Sequence, residues 1–318
     1  MITLKNVTKR YNLQAGFFAP VGRYVYAVNG VSLELRENEI YGLVGESGCG
    51  KTTTARMIIR MEQVSGGEIE YRDDEGSLSV PRLDKAGLAR YRSKVKYIFQ
   101  DPARSLNPRM TIEDVLLAGY RYSPHWPGKR RATEEAKAIL NEVGLGPDDL
   151  ERRPADFSGG QRQRISIARA LIQQPKVLIC DEVVSALDVS IQGQILSLLL
   201  RLKEEYKLSM LFIAHDLAVV SYISDRIGVM YRGMLVEEAS AKALSAERHH
   251  PYTQHLYSAI PQLGRGYAPM PEGPFSRKPD PTVSPLEPAQ LAELTETREG
   301  RPFMREVATG HYVSSLFI

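Results

Sequence analysis

Three short apolar runs without polar interruption lie at residues 40–44, 177–180 and 209–214. Runs of this length and composition are typical of parallel strands that are buried on both faces of a sheet. Helical patterns follow the first two runs, at residues 53–59 and from about residue 191 to 206. This alternation of strands and helices predicts an α/β fold around a parallel sheet.

The other segments predict further strands and a block of helices. Residues 111–174 have a helical pattern, which indicates an inserted helical subdomain. Within it, Thr111 and Thr133 are the expected N-caps, and Gly144 and Gly146 are stop signals. Residues 12–22 are a predicted loop. Further strands are predicted at residues 2–8, 27–35, 68–71, 94–99, 226–231 and 234–238.

The last third of the chain has a different pattern. Seven prolines between residues 269 and 288 predict a surface extension that does not pack as core. A short helix is predicted before them, and His249, His250 and His255 lie around its start. These histidines lack cysteine or acidic neighbours at ligand spacing, so a solvated helix start is a better interpretation than a metal site.

Composition restricts the classes of protein that fit this pattern. The chain has 318 residues, of which 43% are hydrophobic and 25% charged, and its net charge of +3 gives no argument for nucleic acid. Cys49 and Cys180 are its cysteines, which excludes a disulfide framework and a four-thiolate metal site. We find neither a membrane-length apolar run nor a signal-peptide pattern, so we expect a cytosolic chain.

The strongest chemical signal is the segment after the first apolar run. Residues 45–52 fit the phosphate-loop pattern G-x-x-x-x-G-K-[ST], between a predicted strand and a predicted helix. Lys51 can reach the β and γ phosphates of a nucleotide, and the Thr52 hydroxyl can coordinate Mg²⁺. The expected nucleotide-binding residues are Gly45, Glu46, Ser47, Gly48, Cys49, Gly50, Lys51, Thr52 and Thr53.

Polar side chains also end three other predicted strands, at the sheet edge where α/β proteins bind ligands. Asp181 is expected to hold a hydrated Mg²⁺, and Glu182 to orient or deprotonate the attacking water. Gln100 and His215 end the other two strands. Alone they would be interpreted as a solvated amide and a structural histidine. In this series we expect both on the same rim as Glu182.

A second helix start is suited to an anion. Ser158, Gly159 and Gly160 precede a helical pattern and offer a hydroxyl and bare backbone amides. The chain therefore has two helix N-termini at which a phosphate can bind.

An aromatic side chain near the N-terminus is a candidate for stacking on adenine. Tyr11 follows the first predicted strand. A tyrosine that closes a small sheet is an equally good interpretation, and Tyr24 or Tyr26 could take the same role.

Together, six motifs stand in the order found in the ATP-binding subunits of ATP-binding cassette (ABC) transporters, which the chain resembles over about residues 1–240. The resemblance implies a phosphate-loop NTPase (RecA-like) fold with an antiparallel β subdomain, a helical signature subdomain and a C-terminal extension. It implies ATP and Mg²⁺ as cofactors. The motifs are the phosphate loop, the Q-loop residue Gln100, the signature at residues 157–161, the Walker B strand that ends at Asp181 and Glu182, the D-loop at residues 185–188, and the switch residue His215.

The resemblance also assigns roles to individual residues. Glu182, His215 and Gln100 are the implied catalytic residues. Thr52, Gln100 and Asp181 are the implied metal contacts. The signature residues Ser158, Gly159, Gly160 and Gln161, together with Asp188, are implied to contact nucleotide.

Finer motifs resemble the oligopeptide/dipeptide permease branch of importers, and its F-type subunit in particular. They include residues 45–50, 98–102 and 250–253. This resemblance implies an ATP-binding domain over residues 1–245, with its helical subdomain at about residues 101–175, and an extension over residues 246–318.

The same resemblance implies partners, location and activity. It implies ATP hydrolysis coupled to uptake of oligopeptides or dipeptides, at the cytoplasmic face of the cell membrane. The implied partners are a second ABC ATPase subunit, identical or different, two transmembrane permease subunits and an extracytoplasmic solute-binding protein, without nucleic acid. Oligosaccharides or nickel remain alternative cargoes, and a soluble ABC ATPase that acts on DNA or ribosomes is a further alternative.

The chain departs from the family pattern at two places that affect these expectations. Val183 replaces the usual proline after the catalytic glutamate, which predicts a more mobile start of the D-loop. Residues 260–318 lack the cysteines that hold an iron–sulfur cluster in some members, so we expect the same scaffold without the cluster.

Overall fold

A computed structural model describes residues 1–12, 24–258 and 303–316. None of the helices in these ranges is both long and apolar enough to cross a membrane. The strands, in chain order, are β1 (Ile2–Asn12), β2 (Tyr24–Leu35), β3 (Ile40–Val44), β4 (Gly66–Asp73), β5 (Gly76–Ser79), β6 (Val95–Ile98), β7 (Val177–Asp181), β8 (Ser209–Ile213), β9 (Arg226–Tyr231), β10 (Met234–Ser240), β11 (Met304–Ala308) and β12 (His311–Ser314).

The helices are α1 (Lys51–Ile58), α2 (Lys85–Lys94), α3 (Pro102–Ser105), α4 (Ile112–Tyr120), α5 (Lys129–Glu142), α6 (Gly159–Leu171), α7 (Val189–Tyr206), α8 (Leu217–Ile223), α9 (Ala241–Ala246) and α10 (Pro251–Ser258). Short 3-10 turns lie at Val80–Arg82, Pro147–Glu151 and Pro154–Asp156.

The chain divides into two compact units. The first consists of Met1–Arg36, Tyr41–Pro81 and His215–Ile318, and the second of Glu37–Ile40 and Arg82–Ala214. In the first unit, β2, β1, β4 and β5 form an antiparallel sheet in that order. Also in this unit, β3 pairs with β9 in parallel, and β9, β10, β12 and β11 pair in sequence as antiparallel neighbours.

The second unit contains a parallel ladder with helices. Strands β6, β7 and β8 are parallel neighbours, and β7 and β8 are buried along their whole length. Full burial explains why these strands appear in the sequence as continuous apolar runs. The ladder places the carboxyl ends of β6 and β7 side by side, so residues that directly follow them lie close together.

A buried ion pair belongs to the core of the first unit. Arg226 Nη2 lies 2.5 Å from Glu238 Oε1, and the Tyr41 hydroxyl donates to Glu238 Oε2 at 2.7 Å. Because both charges are paired and hydrogen-bonded, their burial beside β3 is tolerated.

Most of the predicted helices and strands are present, but one of the two predicted N-caps is wrong. Thr111 caps α4, since its hydroxyl oxygen accepts from the Asp114 amide at 3.2 Å. Thr133 is not a cap, because α5 begins four residues earlier, at Lys129. The Thr133 hydroxyl instead lies within reach of the Lys129 carbonyl and of Glu113 on α4. A threonine inside a helix can bond to the preceding turn in this way, which the sequence pattern does not distinguish from a cap.

Two further predictions fall largely or wholly outside the described residues. They are the loop at residues 12–22, of which Asn12 is described, and the proline-rich stretch at residues 269–288.

Candidate active site

The phosphate loop joins β3 to α1 in the first unit. Gly45 and Gly50 have φ angles of 148° and 111°, values that favour glycine. A Cβ at Gly45 would lie 2.2 Å from the Met230 carbonyl oxygen, and one at Gly50 would lie 2.3 Å from the Ala27 carbonyl oxygen. Both glycines are therefore required by backbone conformation and by close packing. Helix α1 has no side-chain cap, so its first amides are not satisfied by a capping residue.

Lys51 is folded onto the loop itself. Its side chain is buried, and Nζ donates to the carbonyl oxygens of Gly45 at 2.6 Å and of Glu46 at 2.9 Å. Nζ also lies 3.7 Å from Cys49 Sγ. Burial raises the pKa of the Cys49 thiol, although the Lys51 ammonium opposes that rise. The ammonium is thus held inside the turn, within the loop that a phosphate would enter.

Neighbouring elements of the first unit support the loop from outside. The Gly233 amide, in the turn between β9 and β10, donates to the Cys49 carbonyl at 2.9 Å. The Glu46 amide donates to the Tyr252 hydroxyl at 3.0 Å. Sequence reasoning missed this tyrosine, because it lies 206 positions further along the chain and no local pattern links it to the loop.

Asp181 ends β7 with a buried carboxylate. Its exposed fraction is 3%, and the Tyr97 hydroxyl donates to Oδ2 at 2.5 Å. Tyr97 lies on the neighbouring strand β6, opposite Ile179, and its ring contacts Phe99. Sequence reasoning missed Tyr97 as well. Its place opposite Ile179 becomes informative only once the pairing of β6 with β7 is known.

Glu182 and Gln100 are brought together, as the parallel ladder predicts. Gln100 Nε2 donates to Glu182 Oε2 at 2.6 Å. Glu182 has a φ of 50°, a left-handed conformation that is uncommon for residues other than glycine. Its backbone is held there, because its amide donates to the Ile213 carbonyl at 2.8 Å and its own carbonyl accepts from the Ser185 hydroxyl at 2.9 Å. Strained backbone of this kind is concentrated at functional sites.

The signature residues form the N-terminus of α6. Ser158 is the N-cap, and its hydroxyl oxygen accepts from the Gln161 amide at 3.3 Å. Gln161 Oε1 in turn accepts from the Ser158 amide at 2.9 Å, which completes a capping box. Gly160 lies against α7, where a Cβ would come 2.7 Å from Ile191 Cγ2. Glycine is therefore needed at this position for packing as well as for an open helix start.

The remaining predicted residues are placed as follows. Asp188 is the exposed N-cap of α7, and His215 is exposed, two residues after the end of β8. Tyr11 lies near the end of β1 and is 40% exposed, with Lys9 Nζ 5.0 Å from its ring centre. Tyr24 is instead covered by Arg10, whose guanidinium lies 4.6 Å from the ring centre. Of these two aromatic candidates, Tyr11 is the more exposed.

The interpretation of the histidines as a solvated helix start is wrong for His250. This residue is fully buried. Its ring lies 2.8 Å from the Leu316 carbonyl through Nε2, and its Nδ1 accepts from the Tyr252 amide at 3.1 Å. In the parts of the chain that the structure describes, no group of three or more His, Cys, Asp or Glu residues could hold a metal ion.

This combination of phosphate loop, acidic strand end and glycine-led helix defines an α/β nucleotide-binding protein of the phosphate-loop class. A family model described as "ABC transporter" matches residues 28–185. The oligopeptide transport ATP-binding protein OppF of Bacillus subtilis (strain 168) is 43% identical over 302 residues, which are 95% of this chain and 93% of that protein. The chain therefore belongs to the ABC transporter family of ATP-binding subunits, and it is an ATPase of that family.

Other relatives agree with this assignment. The glutathione import ATP-binding protein GsiA of Escherichia coli (strain K12) is 45% identical over 261 residues, which cover 82% of this chain and 41% of that protein. A solved dimeric ATP-binding cassette, in a post-hydrolysis state with ADP and Pi, is 29% identical with a TM-score of 0.65 and covers 76% of this chain and 99% of that chain. The expected fold class and the resemblance to the oligopeptide permease branch are confirmed.

Replacement of Glu182 by glutamine tests whether this carboxylate activates water. We expect Glu182→Gln to bind ATP normally and to hydrolyse it about 10²- to 10⁴-fold more slowly, because the amide cannot accept a proton from water. Turnover under saturating ATP and equilibrium binding of labelled ATP are the two measurements. Glu204→Gln, on the exposed surface of α7, is the matched control. Near-normal turnover of Glu182→Gln would place water activation elsewhere.

Proposed function

We propose that this chain is the ATP-hydrolysing subunit of an importer of oligopeptides or dipeptides, peripheral to the cytoplasmic face of the cell membrane. The observation that carries the proposal is the similarity along nearly the whole chain to proteins named for oligopeptide transport. The glutathione import relative supports a small peptide as cargo. The proposed partners are two transmembrane permease subunits and an extracytoplasmic solute-binding protein.

The proposed chemistry is attack of water on the γ-phosphate of ATP. Lys51 leaves the loop carbonyls and contacts the β and γ phosphates, and the amides at the start of α1 bind phosphate oxygens. Glu182 accepts the proton of the attacking water. Gln100 orients the Glu182 carboxylate, because its Nε2 donates to Glu182 Oε2 at 2.6 Å. His215 is proposed to contact the γ-phosphate of the nucleotide. Tyr11 is proposed to contact its adenine.

Mg²⁺ is the proposed metal, held by Asp181, Thr52 and Gln100. The donor set fits, since carboxylate, hydroxyl and amide oxygens are hard ligands, and Mg²⁺ typically takes few protein ligands and completes its shell with phosphates and water. Asp181 also stands at the carboxyl end of β7, the edge of a parallel sheet at which α/β proteins bind ligands. The ion would neutralise charge on the phosphates. Tyr97 orients the carboxylate through its hydroxyl.

Removal of the Tyr97 hydroxyl is expected to weaken the hold on Mg²⁺. Loss of an outer contact to a ligand typically costs 10- to 100-fold in metal affinity, so in Tyr97→Phe we expect the Mg²⁺ concentration for half-maximal activity to rise about tenfold. A Mg²⁺ titration of ATPase activity measures this shift. Tyr91→Phe, at another buried tyrosine of the second unit, is the control. An unchanged titration in Tyr97→Phe would remove Tyr97 from the metal site.

The proposed working form contains a second ABC ATPase subunit, either identical or different. The related cassette at 29% identity is dimeric with ADP and Pi bound. In this chain, the α6 N-terminus at Ser158 offers a further place for a phosphate, and we propose that it meets the nucleotide of the partner subunit. Asp188, the exposed N-cap of α7, is proposed to contribute to the same contact.

Mixing of two inactive variants tests this shared site if the chain pairs with itself. Ser158→Arg places a cation and a long side chain at the α6 start, and Lys51→Ala removes the phosphate-binding ammonium. Each variant alone is expected to be inactive, and mixing should restore a fraction of wild-type ATPase activity, because one pairing combines an intact loop with an intact signature. Full activity from a strictly monomeric chain at any concentration would contradict the shared site. If the chain pairs with a different subunit, Ser158→Arg should silence that partner's loop instead.

Transport assays test the cargo. Cells that lack this chain are expected to lose uptake of labelled dipeptides and oligopeptides, and wild-type chain but not Glu182→Gln should restore it. Parallel assays with labelled oligosaccharide and nickel serve as controls. Loss of oligosaccharide or nickel uptake with normal peptide uptake would replace the proposed cargo. Normal transport of all three, with the chain bound to DNA or ribosomes, would favour the soluble ATPase.

A further inference from the structure

The C-terminal strands are joined to the core of the first unit by buried polar contacts. Strand β12 pairs with β10, where Glu237 faces Val313 and Glu238 faces Tyr312. The Glu237 side chain is fully buried, and its Oε1 lies 2.8 Å from Nε2 of the buried His311. This contact anchors β12 to β10, because loss of the His311 ring would leave the Glu237 carboxylate buried without this partner.

The same glutamate holds the start of α10. Glu237 Oε1 accepts from the His249 amide at 2.9 Å, and Oε2 accepts from the His250 amide at 3.2 Å. The rings of His249 and His311 are in edge contact, with their centres 4.7 Å apart. One carboxylate thus ties β10, β12 and the segment that leads into α10 into a single cluster.

His250 makes a second connection between the C-terminal segment and α10. Its Nδ1 accepts from the Tyr252 amide at 3.1 Å, so this nitrogen carries no proton. The proton therefore lies on Nε2, which donates to the Leu316 carbonyl at 2.8 Å. Burial lowers the pKa of His250 and favours this neutral form. The imidazole bridges Leu316, two residues after the end of β12, to the backbone of Tyr252.

Tyr252 in turn reaches the phosphate loop. It is fully buried, and its ring packs on Tyr231 with the ring centres 4.3 Å apart. Its hydroxyl oxygen accepts from the Glu46 amide at 3.0 Å, while the Glu46 carbonyl accepts from Lys51 Nζ at 2.9 Å. Glu46 is thus held by Tyr252 on its amide side and by the phosphate-binding lysine on its carbonyl side.

We propose that Tyr252 is a positioning residue for the phosphate loop and that the C-terminal strands hold Tyr252 in place through His250. The inference rests on the proposed role of this loop in binding ATP. A hydrogen bond to Glu46 fixes the peptide at the start of the loop, before any phosphate is present. Without it, the loop samples more conformations, and nucleotide binding must select among them. The C-terminal extension thereby contributes to ATP affinity without touching the nucleotide.

Tyr252→Phe removes the hydroxyl and keeps the ring that packs on Tyr231. We expect ATP affinity to fall about three- to tenfold, the effect of one neutral hydrogen bond. At saturating ATP we expect kcat to stay within about twofold, because the reacting groups are untouched. The measurements are equilibrium binding of labelled ATP and the dependence of ATPase rate on ATP concentration. ATP affinity equal to that of the wild type would overturn the proposal.

Tyr257→Phe is the matched control. Tyr257 lies on the same helix and is also buried, but its hydroxyl contacts Ser221 at 3.4 Å rather than the loop. We expect loss of the Tyr257 hydroxyl to leave ATP affinity unchanged. An equal loss of affinity in both variants would overturn the proposal, since it would then reflect general destabilisation. Thermal unfolding of both variants measures that contribution directly.

Hydrogen exchange of the Glu46 amide tests the contact independently of ATP. In the nucleotide-free full-length protein, this amide is expected to be protected, and Tyr252→Phe should accelerate its exchange while Tyr257→Phe should not. Equal exchange in wild type and Tyr252→Phe would overturn the contact itself. If wild type shows a protected Glu46 amide but binds no ATP, the proposed function fails and the contact stands.

A double-variant cycle tests the link to the C-terminal strands. His250→Asn keeps an acceptor near the Tyr252 amide but does not reach the Leu316 carbonyl. We expect it to lower ATP affinity, and we expect the double variant with Tyr252→Phe to lose no more than Tyr252→Phe alone, because the effect passes through that hydroxyl. Additive losses would show that His250 acts by another route, and would overturn the second half of the proposal. An unchanged affinity in His250→Asn would do the same.

Discussion

The close turn between β3 and α1 is the constraint on which the other features depend. It can form only because Gly45 and Gly50 lack a Cβ, since side chains there would collide with the carbonyl oxygens of Met230 and Ala27. The close approach of β2 and β9 to the turn is therefore what requires glycine at both positions. The carbonyl oxygens of the turn in return accept from the Lys51 ammonium, at 2.6 and 2.9 Å, and hold it inside the loop.

Local motifs predicted the parts of the site that depend on neighbours in sequence. The turn of the phosphate loop, the helix start after Ser158 and the common sheet edge of Gln100 and Glu182 follow from strand ends and helix starts, whose geometry is set within a few residues. The parallel register of β6 and β7 then brings Gln100 and Glu182 close together. The helix start wrongly placed at Thr133 shows the limit of such patterns, because a threonine hydroxyl serves a cap and a helix interior alike.

Contacts between segments that are distant in the chain could not be predicted from the sequence. Tyr97 and Tyr252 each place a hydroxyl on a site element, yet both look like ordinary core tyrosines, because a pattern shows burial but not the partner of a buried polar group. His250 was misjudged for the same reason. Without cysteine or acidic neighbours at ligand spacing it was interpreted as solvated, whereas its hydrogen-bond partners are the Leu316 carbonyl and the Tyr252 amide. Most buried polar groups in proteins find such a partner, because an unpaired one costs free energy.

These long-range contacts share a physical logic with the strained glutamate. Hydrogen bonds to Ile213 and Ser185 hold the backbone of Glu182 in its left-handed conformation, which is energetically unfavourable for a residue other than glycine. The loop at Glu46 is likewise held from outside, by Tyr252. In both cases residues from another part of the chain fix the backbone of the segment. In the proposed reaction, this preorganisation lowers the entropy lost when ATP and water are brought together, because the ordering has already occurred on folding.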